Sequence, residues 1–115
     1  MTTPEAPTPD PATAYAEAPS IIAEIGWVAR QRGSQPDREF WLRKAAVFDR
    51  IALKEAASYA PEVAAPAIEA AADAALQLVR YDATHEGLSP RGFELVTADD
   101  HREHVRRAYL AWSRS

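Results

Sequence analysis

Apolar residues recur at helical spacing over four stretches of the chain, and the longest of them, residues 34–60, organises the rest. At about 100° per residue, Trp41, Ala45, Phe48, Ala52, Ala56 and Tyr59 share one face of this helix. Phe40, Val47 and Ile51 widen that face on one side, and Leu42 and Leu53 on the other. The arc covers more than half the circumference. A surface helix shows a narrower stripe, so contact from at least two sides is expected. Ser34 and Asp37 have the S-x-x-D spacing of a capping box, with Pro36 in the first turn, where a missing N–H costs nothing. Pro61 then stops or redirects the chain.

Three more helices are predicted around it. The first starts at Ala14 or just after Pro19 and ends at Gln31. Ile21, Ile25 and Val28 form its face, Ile22 and Ala29 widen it, and Gly33 suits the residue past the helix end. Trp27 lies almost opposite Ile25, so it is either covered from within the chain or offered to a partner, Trp being enriched at interface hot spots. The third helix spans 61–84 with a narrow stripe of Ala64, Ile68, Ala71, Ala72, Ala75, Leu78 and Val79. The connection at Pro61 is so short that helices two and three form an antiparallel hairpin. That register sets Asp82 beside Arg38 on buried-facing positions. An Arg38–Asp82 ion pair is expected, with Arg43 as the competing partner. The last helix opens on a Thr97–Asp100 capping box and runs to Trp112, with His101, Val105, Ala108 and Trp112 on one face and Tyr109 beside them.

The fold class is therefore all-α: a single-domain four-helix bundle over residues 14–115, with a central antiparallel hairpin of helices two and three. Residues 1–13, with Pro4, Pro7, Pro9 and Pro11 among Thr, Ala and acids, are expected to be a disordered N-terminal arm. Much of the 47% hydrophobic content is Ala, which lets helices approach closely and buries little area per residue. The chain has no Cys, which excludes disulfides, thiolate chemistry and Cys zinc sites. No run approaches the ~18 apolar residues of a membrane span, and the N-terminus lacks the basic and apolar regions of a signal peptide. A cytoplasmic protein is the expectation. A net charge of −4 argues against a general phosphate-backbone binder.

Candidate chemistry is sparse. Asp49 and Glu55 fall within the apolar arc of the second helix and are the buried-charge candidates. Six residues apart, they sit about 120° from each other, so one small pocket reaches both only with difficulty. His101 and His104, at i and i+3, are weak metal candidates, and no E-x-x-H motif supports a diiron bundle; no metal and no cofactor are expected. Arg102, Arg106 and Arg107 make the last helix the most basic segment and the candidate for nucleic acid. Within the 86–96 loop, Ser89, Arg91 and Phe93 are candidate contacts, since loops on rigid scaffolds often carry function. No G-x-S-x-G, phosphate loop or dinucleotide fingerprint is present, and nothing points to catalysis. The leading expectation is a small, acidic, soluble, non-enzymatic protein acting through a protein partner or through self-association. The alternatives are a nucleic-acid-binding accessory protein using the last helix and a metal- or small-ligand-binding bundle.

Overall fold

The computed structural model describes residues 8–31, 33, 35–86 and 97–115. Its elements are α1 (Pro11–Ala14), α2 (Ile21–Arg30), α3 (Arg38–Ser58), α4 (Pro61–Tyr81) continuing into a π-helical turn (Asp82–Glu86), and α5 (Ala98–Ser113). The architecture is all-α, with α2 to α5 as the main helices. The antiparallel pair α3–α4 makes the most extensive contact, α5 packs on both, α2 packs on α3, and α1 packs on α5.

Each helix end has a local cause. α2 starts after Ser20, whose hydroxyl accepts from the Ala23 amide. α3 starts later than the capping-box spacing suggests. Asp37, in extended backbone, is the N-cap and accepts from the Phe40 amide at 3.0 Å. Pro36 therefore precedes the helix, and Ser34 lies outside the described residues. α4 begins on Pro61 and runs unbroken through Pro66. The carbonyl left without an amide by Pro66 is that of Glu62, at an exposed position open to solvent. α5 opens on the reciprocal Thr97–Asp100 capping box, at 3.0 and 3.1 Å.

The core is a seam of small residues. Leu42, Ala45 and Ala46 of α3 meet Ala74, Ala75 and Leu78 of α4, closed by Val105 and Tyr109 of α5. Alanine permits close helix approach, so the seam, rather than the aromatic row, faces inward. Trp41 and Phe48 pack at its margin, while Tyr59 is 57% exposed. The buried line of α3 is thus rotated from the face drawn through its aromatics, and Asp49 falls on it.

The arm expected to extend through residue 13 is placed from Thr8 onward. Asp10 caps α1 through the Thr13 amide at 2.7 Å, and Ala14 is buried. Residues 1–7 lie outside the described residues. No helix among those described is long and apolar enough to cross a membrane.

Candidate functional site

Among the described residues, Glu24, Asp49 and Asp82 are buried to 2% exposure or less. A buried carboxylate is costly unless it is paired and hydrogen-bonded, so the partners of each decide what it can do.

Asp49 is the most heavily bonded. The Tyr15 hydroxyl donates to its Oδ2 at 2.6 Å. Arg102 Nε donates to Oδ1 at 2.6 Å. Arg106 forms a two-pronged pair, Nε to Oδ2 at 2.9 Å and Nη2 to Oδ1 at 3.0 Å. Arg102 and Arg106 are one helical turn apart on α5, so one face of α5 delivers both guanidinium groups to one carboxylate. Burial and the neighbouring Asp49 charge push the Tyr15 phenol far above its ordinary range. Burial works against the charged Arg106 guanidinium, but its bonds to Asp49 outweigh that and raise its pKa. Tyr15 also meets Tyr109 edge-on at 5.3 Å, and Arg50 Nη1 donates to the Pro19 carbonyl at 2.7 Å. The segment between α1 and α2 is held to α3 by these contacts.

Glu24 is held by Arg43, with Nε to Oε2 at 3.0 Å and Nη2 to Oε1 at 3.1 Å. The third nitrogen of Arg43 reaches Glu39 at 2.9 Å. Burial opposes the Arg43 charge, and the bonds to Glu24 and Glu39 more than offset it, raising its pKa. The guanidinium lies 3.7 Å from the Trp27 ring centroid and 5.6 Å from that of Trp112. Trp27 is therefore half-buried beneath an arginine of its own chain. Arg43, expected to compete for Asp82, is committed to α2.

Asp82 opens the π-helical turn. Arg38 Nε donates to Oδ1 at 2.8 Å and Nη2 to Oδ2 at 3.2 Å, and His104 Nε2 lies 2.7 Å from Oδ2. Burial raises the Asp82 pKa, but the bonds from His104 and Arg38 outweigh it and hold the carboxyl below its usual range. The imidazole of His104 is thereby engaged with α4. Among the described residues, no three His, Asp or Glu side chains converge as metal ligands.

These three groups close on themselves: among the described residues, no buried side-chain nitrogen or oxygen lacks a partner. An open feature lies elsewhere. A groove of about 840 Å³ runs between α2 and α3. Ile25, Val28, Phe40, Val47, Phe48 and Ile51 form its apolar lining, with Asp37 at one end and Lys44 along its wall. A separate, smaller cleft of about 220 Å³, also touching Ile51, bears Ile22, Lys54, Glu55 and Tyr59. Ile22 is 83% exposed and Ile25 47%.

The structure therefore redistributes the residues singled out by sequence. Asp49 is a structural hub, whereas Glu55 is half-exposed beside the smaller cleft. Arg102 and Arg106 are turned inward onto Asp49, with side chains 11% and 16% exposed, and so do not form a basic face open to phosphates. Arg107 Nη2 donates to the Thr8 hydroxyl at 2.8 Å. His101 sits half-buried on α5. Ser89, Arg91 and Phe93 lie outside the described residues. Sequence reasoning missed Glu24 and Tyr15. It also set Ile25 on the inner face of α2, where Glu24 is the buried residue. The four-residue spacing of Arg102 and Arg106, together with an acid in an apolar arc, was the available signal for the Asp49 cluster. Comparison of the chain with family models, with curated proteins and with solved structures finds no match.

Proposed function

We propose that this protein is a non-enzymatic interaction module and that the groove between α2 and α3 is its docking surface. The observation carrying this reading is the groove itself: about 840 Å³, lined mainly by Ile, Val and Phe side chains, on a molecule in which the buried charges among the described residues are all engaged. An apolar trough between two helices accepts a further helix by its apolar face, read through anchors at i, i+3, i+4 and i+7. α3 is 21 residues long, about 30 Å at 1.5 Å per residue, which matches a helix of several turns. Catalysis gains no support, because Glu24, Asp49 and Asp82 line neither the groove nor the smaller cleft.

Affinity capture from the native cell with wild type, Ile25→Asp and Arg107→Ala tests this reading. It expects a bound protein that is lost with Ile25→Asp and kept with Arg107→Ala. That selective loss, rather than capture itself, is the supporting result. Capture that survives Ile25→Asp and disappears with Arg107→Ala or nuclease treatment contradicts it.

A further inference from the structure

Resting on that reading of the groove, we infer that its occupant is α2 of a second copy of this chain, packed antiparallel across a twofold axis. α2 carries two apolar stripes. Ile21 and Val28 flank Glu24 on the side toward α3. Ile22, Ile25, Gly26 and Ala29, at i, i+3, i+4 and i+7, form the other, with Ile22, Ile25 and Ala29 exposed. That spacing is the seam of a helix pair. One face of the molecule thus holds both a projecting ridge, Ile22 and Ile25, and the trough beside it. A surface that carries ridge and trough together complements itself, which is the requirement of a twofold interface.

Gly26 gives an independent reason. It stands in the middle of a ten-residue helix, where glycine costs about 1 kcal/mol relative to alanine. Packing against the described residues does not demand it. A Cβ there would meet only the far end of the Arg30 side chain, at 3.3 Å, which can swing aside. A glycine at the centre of an outward apolar stripe lets a second backbone approach closely. A twofold axis near Ile25 and Gly26 crosses the two α2 helices at that point.

The charges fit the same arrangement. Asp37 and Lys44 line the trough, and Lys54 and Glu55 line the smaller cleft. Among the described lining residues, two acids and two lysines balance, which suits a copy of itself better than a strongly charged partner. α2 gains most from the contact. It packs chiefly on α3, and a helix of ten residues is marginal without tertiary cover.

Light scattering on the full chain, with cysteine cross-linking, tests the inference. Wild type is expected to approach twice the 12.6 kDa of the chain as concentration rises. Gly26→Ala separates folding from association: it should raise the melting temperature of the dilute protein while weakening the dimer at least tenfold. The chain has no cysteine of its own, so Ile25→Cys should cross-link rapidly to its counterpart under mild oxidation. Val63→Cys, at 58% exposure on α4, should not. A mass of 12.6 kDa at every concentration, with Ile25→Cys cross-linking no faster than Val63→Cys, overturns the second copy as occupant. The groove as docking surface is then judged separately, by whether Ile25→Asp loses a partner that wild type captures. A dimer unaffected by Gly26→Ala and Ile25→Asp overturns this face as the contact.

Discussion

Tyr15 and Asp49, 34 residues apart, share a 2.6 Å hydrogen bond in which the phenol donates to a carboxylate that is 1% exposed. The bond joins the segment before α2 to the middle of α3, and two arginines of α5 complete the cluster. Tyr15→Phe keeps the edge-on packing with Tyr109 and removes one bond to a charged acceptor. A loss of about 1.5–3 kcal/mol is expected. Asp49→Ala strands two partly buried guanidinium groups and is expected to cost about 3 kcal/mol or more, toward the low end for a broken buried pair. Out of a total near 5–15 kcal/mol, that is a large share. Urea denaturation of both variants measures the order and size of the losses.

Neighbouring arginines on α5 should behave differently. Arg106→Ala removes the two-pronged partner of Asp49. It should cost up to about 3 kcal/mol, the low end for a broken buried pair, since Arg102 and Tyr15 stay in place. Arg107→Ala removes a single bond to the Thr8 hydroxyl and should cost under about 1 kcal/mol. Equal losses in urea denaturation would contradict the inward role of Arg106.

Asp82 sets an acid limb of stability. Its carboxyl titrates below the ordinary value of 3.8 in the folded protein, because His104 and Arg38 bond the charged form strongly enough to outweigh burial. A group with a depressed folded pKa contributes its full stability above the unfolded value and loses it as pH falls through the folded one. Wild type should lose this contribution below about pH 4. Asp82→Asn, already lacking it, should be less stable at neutral pH, and the difference between the two should shrink as pH falls. Urea midpoints followed from neutral pH to about pH 2.5 check it; a difference constant with pH would contradict it.

The helical order was legible because caps and prolines punctuate it. Ser20, Pro61 and the Thr97–Asp100 box stand where the structure starts its helices. The pairing of Arg38 with Asp82 followed from hairpin register alone, and the two meet at 2.8 Å. Rotation of the helices was less legible. Aromatics draw the eye to one face of α3, yet close packing of Ala45 and Ala46 against Ala74 and Ala75 sets which face turns inward. Periodicity scores alanine weakly, so the seam was displaced from the expected face and Asp49 moved onto it. In α2 the buried position is an acid, Glu24, made tolerable by Arg43 on another helix. A helix read by itself cannot reveal that compensation, and the apolar residues it displaced line an open groove instead.

Amide hydrogen exchange at low and high protein concentration tests the central claim most directly, because it reports which surface is covered. Exchange in α2, across Ile21–Arg30, is predicted to slow several-fold as concentration rises, while α5, across Ala98–Ser113, stays unchanged. Slowing confined to α5, or none anywhere while light scattering reports a dimer, would contradict the assignment of the α2–α3 groove as the contact surface.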